Sequence, residues 1–399
     1  MQSLIQDINK SGKKYTLAIT GGGTEGIGEL LSHGGSSATC LEVVVPYNQK
    51  SLQDFLKYVP SKACSSETAR KMALRAFQRS LKLGATPDEA VGFGITCSLA
   101  RGPAEGEIRA DGSHREHWVH IAFQDRRTTW YYSFDLTKSG MSREEEESEC
   151  ADLVVNMVWL YLCGRNWDTF NANIRWPFTD DGNMSEPPME LEKLMCGALN
   201  IARALGGKRG TLERITEFDG KPYSRDISKF IYPGSFNPIH SGHIDIAKLG
   251  MEKTGEKVTF EIAIENPDKP PLDYIDMERR FCDISSECSI NKIDFENIIY
   301  TRYPLFKDKM MALPAHTFMM GADTAIRFCN EKYGRVVYSL MDLDKSGCRI
   351  IITERQGYDL TEVKTILACH NVDFISESEY KDDGVSSSKI RNKTNGSIN

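Results

Sequence analysis

Short apolar runs alternate with segments of helical spacing through the first 164 residues of the chain. Runs rich in β-branched and aromatic residues, bounded by glycine or polar clusters, predict strands. These predicted strands are Lys14–Thr20, Leu41–Val45, Ala90–Ile95 and His117–Phe123. Glu67–Leu83 places apolar residues on one face of a helix, and Ala151–Leu162 is long enough for a buried helix. The acidic run Ser142–Glu149 suits the N-terminal end of that helix. This order predicts one α/β domain over residues 1–164.

The segment 165–228 has a weaker pattern. It contains Trp176-Pro177 and a predicted turn at Asp180–Asn183. Met189–Leu205 is predicted to form a helix that ends at Gly206-Gly207, because glycine commonly follows the last helical residue. We interpret this segment as a linker or extension.

Strand and helix patterns alternate again from Lys229 to the end of the chain. The predicted strands are Phe230–Tyr232, Val258–Ile264, Thr317–Met320 and Cys348–Thr353. The predicted helices are Ser241–Lys253, Tyr274–Ser285 and Asp323–Lys332. Such alternation predicts a parallel sheet with helices on both faces. The predicted fold class is therefore α/β with two domains, 1–164 and 229–399, of which the second is Rossmann-like.

The composition is typical of a soluble globular protein, with 399 residues, 40% hydrophobic and 26% charged. A formal net charge of -7 argues against broad electrostatic binding of nucleic acid. The 11 cysteines include no Cys-x-x-Cys pair, which favours reduced thiols over a disulfide framework or zinc ribbon. The N-terminal residues lack the apolar core of a secretory signal, and no run of about 18 apolar residues predicts a membrane span. We therefore expect a cytoplasmic protein with no membrane or nucleic-acid partner.

A histidine-containing motif, YPGSFNPIHSGH at 232–243, follows the first predicted strand of the second domain. Ligands of open α/β sheets bind beside the carboxyl ends of strands, and a helix N-terminus favours phosphate. The turn residues predicted to bind ATP are Gly234, Ser235 and Phe236. His240 and His243 stand at i and i+3, so both rings can stabilise charge that builds on one phosphate during in-line attack. The alternative interpretation is two surface histidines in a loop.

A second motif, VSSSKIR at 385–391, lies far downstream. Ser386 and Ser387 offer hydroxyl and backbone N–H groups to phosphate at a helix start. Arg391 adds a fork of donors for the β- and γ-phosphates. By itself this segment is more typical of a helix cap or a polar tail. Its occurrence together with the histidine motif makes it a specific indication of a nucleotide site.

Together these H-x-G-H and S-S-x-x-I-R motifs resemble the HxGH nucleotidyltransferase superfamily. Within it, they are most similar to nicotinamide/nicotinate mononucleotide adenylyltransferases. Gly321-Ala322-Asp323 resembles a segment of that family, as does Thr353–Tyr358, although Gln356 replaces the usual proline. Glu278-Arg279-Arg280 resembles its substrate-side arginine, and the whole resemblance covers 229–393.

The resemblance implies that the adenylyl group of ATP is joined to a mononucleotide phosphate, with release of pyrophosphate. His240 and His243 would contact the ATP phosphates, and Ser386, Ser387 and Arg391 would hold the triphosphate. ATP and a mononucleotide are the expected partners, and self-association into a homo-oligomer stays open. Mg²⁺ would be carried by ATP, and no carboxylate cluster suggests a metal bound by the protein.

The resemblance also implies substrate contacts for an aspartate and for an arginine of the second domain. Asp323 would bind a ribose or organise the adenosine side, or else serve as a plain helix N-cap. Arg279 or Arg280 would touch the mononucleotide, or else form only exposed ion pairs.

Other nucleotides and acceptors also fit the first motif. Its Tyr-Pro-Gly-Ser-Phe opening resembles pantetheine-phosphate adenylyltransferase, a family that usually has threonine at the position of His240. A cytidylyltransferase is a third interpretation, because the motif does not identify the base of the nucleotide substrate. A module that senses nucleotides without turnover is a fourth.

The first domain carries a glycine-rich turn after its first predicted strand. Gly21–Gly26 fits the G-x-G-x-x-G pattern with Glu42 downstream, which is a weak indication of a dinucleotide site. Gly21–Gly23, Gly35–Ala38 and Val45–Asn48 instead resemble the CinA C-terminal, or nicotinamide-nucleotide amidase, family over 1–164.

That resemblance implies a catalytic serine, tyrosine and lysine. Thr20 stands in the place of the serine and Tyr47 in that of the tyrosine, whereas the lysine position falls at Leu52 with Lys50 nearby. A threonine nucleophile needs an activating base, so we interpret Thr20, Tyr47 and Lys50 as the remnant of an amidase site. A bifunctional amidase–adenylyltransferase is the alternative. Because both resemblances concern nicotinamide mononucleotide, they associate the chain with NAD synthesis.

Overall fold

The computed structural model describes residues 2–101, 108, 112, 115–136, 141–164, 183–185, 195, 201–206, 212–217, 227–266, 269–380, 385, 387 and 389–391. The chain forms two compact units. The first unit comprises residues 1–187 and 268–275, and the second comprises residues 188–267 and 276–399.

The first unit is built on a mixed sheet. Its strands are β1 (Lys14–Thr20), β2 (Cys40–Val44), β3 (Ala90–Ser98), β4 (Trp118–Gln124), β5 (Thr129–Asp135) and β6 (Asn183–Ser185). Its helices are α1 (Gln2–Asn9), α2 (Glu25–Leu31), α3 (Gln49–Leu56), α4 (Ser66–Lys82) and α5 (Arg143–Leu162). The strand order is β2-β1-β3-β4-β5-β6. β1 is parallel to β2 and β3, and the remaining neighbours are antiparallel.

Helices cover both faces of this sheet. Successive side chains of a strand point to opposite faces. Leu17 and Ile19 of β1 are buried in the apolar cluster that includes α5. Ala18, between them, is buried with Leu52 of α3 and Met72 of α4. The unit therefore has a core on each side of its sheet.

Two glycines of β3 allow α4 to approach the sheet closely. A Cβ atom at Gly92 would lie 2.1 Å from the carbonyl oxygen of Ala73, and one at Gly94 would lie 2.1 Å from that of Ala69. Real Cβ atoms do not approach this closely, so helix and strand pack backbone against backbone. Close packing of α4 on β3 therefore explains why both positions are glycine.

The second unit contains a larger, mostly parallel sheet. Its strands are β7 (Ile201–Gly206), β8 (Leu212–Glu217), β9 (Phe230–Pro233), β10 (Val258–Ala263), β11 (Phe295–Thr301), β12 (Thr317–Gly321), β13 (Arg349–Thr353) and β14 (Val372–Ile375). Its helices are α6 (Ser241–Thr254), α7 (Tyr274–Ile290), α8 (Phe306–Ala312), α9 (Ala322–Phe328), α10 (Val336–Ser346) and α11 (Thr361–Leu367), although the first residues of α7 fold with the first unit. The strand order is β14-β13-β12-β9-β10-β11-β7-β8.

The direction of strand addition reverses between β9 and β12. From β9 the sheet grows through β10 to β11, and from β12 it grows the other way through β13 to β14. All these strands are mutually parallel. Such a reversal opens a crevice at the carboxyl ends of the two central strands, where open α/β sheets bind ligands. The residues after β9 therefore lie at the expected ligand-binding edge.

Helices cover both faces of the parallel strands. Ile231 is buried with Met310 of α8 and Leu343 of α10. Its neighbour Phe230 faces α6, where a Cβ atom at Gly250 would lie 2.0 Å from the Phe230 ring. The predicted fold class, two α/β domains with a Rossmann-like parallel sheet in the second, is confirmed.

The helix predicted over Met189–Leu205 is wrong at its C-terminal end. Ile201–Gly206 forms β7, which pairs antiparallel with β11 and with β8. Backbone hydrogen bonds to neighbouring strands outweigh a weak local helix preference here. Met195 is helical, and the rest of 189–200 lies outside the described residues, as does Trp176-Pro177.

Several elements were not predicted from the sequence. They are α1, α2, α3, β5, β11, α8, α10, α11 and β14. Within the segment interpreted as a linker, β6 extends the sheet of the first unit, and β7 with β8 extends that of the second.

No helix in the described part of the chain combines the length and apolarity needed to cross a membrane. All cysteines of the described residues are free thiols.

We predict that Gly94→Ala lowers the free energy of unfolding by about 1–3 kcal/mol, because the new methyl group overlaps the backbone of α4. Urea unfolding followed by circular dichroism measures this loss. Gly28→Ala is the matched control, since a Cβ atom there meets nothing within 4 Å. That change should be neutral or stabilise helix α2 by about 0.5–1 kcal/mol. Equal effects of the two substitutions would contradict the packing argument.

Candidate active site

The loop 234–238 connects the carboxyl end of β9 to α6. The N–H group of Gly234 donates to the carbonyl oxygen of Glu261 at 2.9 Å, so the loop begins as an extension of the sheet. Phe236 then takes a left-handed backbone conformation, with φ 45°. A Cβ atom at Gly234 would lie 2.4 Å from the Phe236 ring, so a glycine is required there.

Burial of the Phe236 ring holds this strained conformation. The ring is fully buried and makes edge contacts with Tyr232, Phe260 and His243, with centroids 5.4, 5.2 and 5.1 Å away. A left-handed conformation costs a non-glycine residue about 1–2 kcal/mol, which the burial of a large aromatic ring offsets. Because the ring is inside, only the backbone of Phe236 can face a ligand.

Two arginines of α7 hold the loop from one side. The Arg280 guanidinium donates to the carbonyl oxygen of Ser235 at 2.8 Å. The Arg279 guanidinium donates to the side-chain oxygen of Asn237 at 2.9 Å. Arg280 is 7% exposed, so its contact is a buried structural bond rather than an exposed ion pair.

The C-terminal motif reaches the same loop. The Ser387 hydroxyl donates to the carbonyl oxygen of Pro238 at 2.8 Å, and the Arg391 guanidinium donates to that of Asn237. Residues far apart in sequence therefore meet two to three positions before His240. Ser386 lies outside the described residues.

The two histidines lie against each other at the start of α6. Their ring centroids are 3.8 Å apart. The backbone N–H of His240, the N-cap residue, donates to Nδ1 of His243 at 3.3 Å. Since Nδ1 accepts, a neutral His243 ring carries its proton on Nε2 and presents that atom as a donor. A Cβ atom at Gly242 would lie 3.3 Å from the His240 ring, so the glycine of the motif leaves room for that ring.

Asp323 lies in the first turn of α9, after β12. The N-cap residue of α9 is Gly321, so Asp323 is not the cap of this helix. Its carboxylate pairs with Arg327 at 3.0 Å and is 48% exposed. The side chain is therefore available at the carboxyl edge of the sheet.

Arg355 and Tyr380, which were not predicted as site residues, also lie near this edge. The Arg355 guanidinium donates to the carbonyl oxygen of Val385 at 3.1 Å, and the Tyr380 hydroxyl donates to that of Gly242 at 3.4 Å. Burial raises the pKa of Tyr232, and the nearby Tyr380 and Asp323 add to the rise. Arg355 lies in the segment Thr353–Tyr358. The resemblance of that segment to adenylyltransferases is the sequence signal that could have identified Arg355.

Among the described residues, no group of three or more His, Cys, Asp or Glu side chains is placed to hold a metal ion. The described residues of the site are instead rich in hydrogen-bond donors: two imidazoles, guanidinium groups, a hydroxyl and a helix N-terminus. Such donors suit an anionic ligand.

In the first unit, the glycine-rich turn is filled by a carboxylate of the same chain. Glu147 of α5 accepts hydrogen bonds from the N–H groups of Gly23 at 2.8 Å and Thr24 at 2.6 Å, and from the Thr24 hydroxyl at 2.7 Å. Burial raises the pKa of Glu147, but the bonds from Thr24, Gly23 and Glu25 outweigh burial and hold that pKa below its ordinary value. A dinucleotide pyrophosphate would need the same N–H groups, so this turn is not a dinucleotide site.

The residues of the amidase interpretation each have a different environment in the first unit. The Thr20 hydroxyl donates to the carbonyl oxygen of Pro46 at 3.1 Å, which is not a base. Tyr47 is 63% exposed and accepts a long hydrogen bond, 3.5 Å, from Arg143. Lys50 is exposed, and Leu52 belongs to a buried cluster.

Residues 231–393 match the family model described as cytidylyltransferase-like. The resemblance of this region to nucleotidyltransferases is thus confirmed. No curated protein sequence matches the chain.

The chain is similar to several solved structures. The competence/damage inducible protein CihA from Agrobacterium tumefaciens is 22% identical, with 41% of this chain and 91% of that chain covered and a TM-score of 0.30. A competence-damaged protein (CinA) superfamily protein from Klebsiella pneumoniae 700603 is 16% identical, with 41% and 94% covered and a TM-score of 0.28. A competence or damage-inducible protein from Enterobacter asburiae is 19% identical, with 40% and 92% covered and a TM-score of 0.27.

We predict that Glu147→Gln lowers the free energy of unfolding at pH 7 by about 1–3 kcal/mol, because charge-assisted hydrogen bonds become neutral ones. The folded state lowers the pKa of Glu147, so the stabilisation is present above the unfolded pKa of about 4.3 and is lost as the pH falls through the folded pKa. Urea unfolding at pH 7 and at acidic pH should show a difference between wild type and variant that shrinks with acidification.

The exposed Glu144 on the same helix provides the control. Glu144→Gln should change stability by less than about 0.5 kcal/mol at both pH values. A Glu147→Gln effect that is independent of pH would refute the role given to the carboxylate charge.

Proposed function

We propose that the domain at 231–393 joins the phosphate of nicotinamide or nicotinate mononucleotide to the α-phosphate of ATP and releases pyrophosphate. One observation carries the proposal. The loop before His240 accepts hydrogen bonds from Ser387 and Arg391, so two distant motifs meet beside the paired histidines. A cytidylyltransferase-like domain supports nucleotidyl transfer as the reaction class.

The chemistry needs no protein nucleophile. The mononucleotide phosphate attacks the α-phosphate of ATP in line, and pyrophosphate leaves with the electron pair of the broken P–O bond. The imidazole N–H donors of His240 and His243 would stabilise the negative charge that builds on the α-phosphate. Ser387 and Arg391 would hold the β- and γ-phosphates. Mg²⁺, carried by ATP, would neutralise further charge.

The residues proposed to bind the mononucleotide acceptor are the arginines of α7 and Asp323. Arg280 donates a hydrogen bond to the carbonyl of Ser235. Arg279 donates to the side chain of Asn237 and is partly exposed. Arg279 therefore has donors left for an acceptor phosphate, and Arg280 would act through the loop. Asp323, at the end of the neighbouring strand, would accept hydrogen bonds from a ribose.

The direct test measures pyrophosphate release by the full chain with an acceptor panel. The panel contains nicotinamide mononucleotide, nicotinate mononucleotide and phosphopantetheine, each with ATP and with CTP. Turnover with either mononucleotide and ATP is expected. Turnover only with phosphopantetheine, or only with CTP, would replace the substrate assignment. Tight binding of ATP without any pyrophosphate release would instead support a nucleotide-sensing module.

We predict that His240→Ala and His243→Ala each lower kcat by about 100-fold to 1,000-fold, because each removes a donor to the transition state. His370→Ala is the control within the same unit, since His370 pairs with Asp344 at the surface. Because this surface pair lies outside the proposed site, kcat of the control should equal that of wild type. Wild-type kcat in both histidine variants would eliminate the proposed charge stabilisation.

We further propose that the first unit has lost amidase activity. The Thr20 hydroxyl donates to a backbone carbonyl, and the lysine position of the resemblance holds the buried Leu52. A hydroxyl without a general base is a poor nucleophile. The full chain should therefore release no ammonia from nicotinamide mononucleotide in a coupled assay. Steady release that Thr20→Val abolishes would support the bifunctional alternative.

A further inference from the structure

A charged residue, Glu261, lies inside the second unit near the carboxyl end of β10. Its side chain binds two other buried polar residues, Thr301 at the end of β11 and Lys309 of α8. Glu261 and Thr301 are 0% exposed and Lys309 is 6% exposed. Burial of a carboxylate or an ammonium group is costly unless the charge is paired and hydrogen-bonded. These three residues, the Glu261 cluster, therefore depend on one another.

Both carboxylate oxygens of Glu261 accept a hydrogen bond within the cluster. Lys309 Nζ donates to one oxygen at 2.5 Å, and the Thr301 hydroxyl donates to the other at 2.5 Å. The backbone N–H of Tyr303 donates to the same hydroxyl at 3.3 Å. Because an N–H group can only donate, the hydroxyl proton is directed to the carboxylate. The cluster thus joins the carboxyl ends of β10 and β11 to α8.

Glu261 also binds the first residue of the loop that contains the candidate site. Its backbone carbonyl accepts a hydrogen bond from the N–H of Gly234 at 2.9 Å. The preceding residue, Phe260, points to the other face of the sheet, where its ring contacts the Phe236 ring with centroids 5.2 Å apart. Two consecutive residues of β10 therefore hold the loop before His240, one through its backbone and the other through its ring.

Stability alone does not explain why the cluster is charged. Well-packed apolar residues of similar volume are often as stabilising as a buried ion pair, or more so. Hydrogen bonds differ from apolar packing because they have preferred lengths and angles, and these fix the positions of the groups that they join. Here the group that is fixed is the end of β10, which is bonded to the first residue of the loop.

We propose that Glu261, Thr301 and Lys309 are positioning residues for nucleotidyl transfer. They fix the carboxyl end of β10 and thereby the place at which the loop leaves the sheet towards His240 and His243. The cluster acts through this loop and does not itself bind a nucleotide. The kinetic part of this inference rests on the proposed function.

The first test replaces the ion pair by neutral side chains of similar shape in the full chain. Glu261→Gln together with Lys309→Met removes both charges, so no buried charge loses its counterion. We expect kcat with ATP and the mononucleotide to fall by about 10-fold to 100-fold, because small displacements of positioning groups have large effects on rate. The Michaelis constants should change less than kcat, since the groups proposed to bind the substrates are retained.

The second test separates the hydroxyl of Thr301 from its shape, and it decides the question if the double variant does not fold. Thr301→Val keeps the branched shape and removes the hydrogen bond, whereas Thr301→Ser keeps the hydroxyl and removes a methyl group. We expect kcat to fall in Thr301→Val and to stay within about twofold of wild type in Thr301→Ser. A role in packing alone predicts the reverse order. That reverse order, or wild-type kcat in both variants, would overturn the proposal.

Asp294→Asn is the matched control at the opposite ends of the same two strands. It removes the charge of Asp294 from an exposed ion pair with Lys257, 2.8 Å long, whose members immediately precede β11 and β10. Its kcat should stay within about twofold of wild type, as expected for a surface pair. A folded double variant with the same kcat as Asp294→Asn would contradict the proposed role of the cluster.

Hydrogen–deuterium exchange gives a readout that needs no turnover. Peptides covering 234–244, measured without substrate, should exchange faster in the double variant and in Thr301→Val than in wild type, Thr301→Ser and Asp294→Asn. This readout separates the two proposals. If wild type turns over no acceptor but exchange still responds to the cluster, the proposed function fails and the structural link stands. If exchange in this segment is the same in all variants, the link itself is refuted.

Discussion

The loop before His240 depends on side chains that satisfy its backbone carbonyls. This loop leaves the strand ladder after Gly234, so side chains rather than neighbouring strands supply partners for its carbonyls. The carbonyls of Ser235, Asn237 and Pro238 accept hydrogen bonds from Arg280, Arg391 and Ser387, respectively. These donors come from widely separated parts of the second unit, so the contacts of the loop depend on the tertiary structure.

Aromatic packing completes the loop from within. Phe236 has a backbone conformation that a residue with a side chain seldom adopts, and its ring lies against Tyr232, Phe260 and His243. The orientation of His243 is therefore linked to the hydrophobic core, while its Nδ1 is occupied by the N–H of His240. Pre-organised donors of this kind need little rearrangement when charge develops on a bound phosphate.

In the first unit, groups of the same chain bind the glycine-rich turn and the Thr20 hydroxyl. Its glycine-rich turn holds Glu147, and its Thr20 hydroxyl is bonded to a carbonyl. Internal hydrogen bonds of this sort stabilise a domain.

The sequence by itself determined the elements whose side-chain period reflects burial. The strands near Lys14, Ala90, Val258 and Arg349 and the helix after His240 are where periodicity and glycine signals predicted them. The histidine motif was also visible from sequence, because it needs only the strand, turn and helix that surround it. Local patterns suffice in these cases, since a side chain at fixed spacing faces the core whatever covers it.

Only the tertiary structure decided the features that depend on a distant partner. Ile201–Gly206 became a strand because β11 and β8 offer it backbone hydrogen bonds, although its local pattern suited a helix. The occupant of the glycine-rich turn, the loop contacts of Arg280 and the meeting of Arg391 with Asn237 join residues that no local spacing relates. Their positions follow from long-range pairing, in which the free energy of a contact belongs to both partners and cannot be assigned from either segment alone.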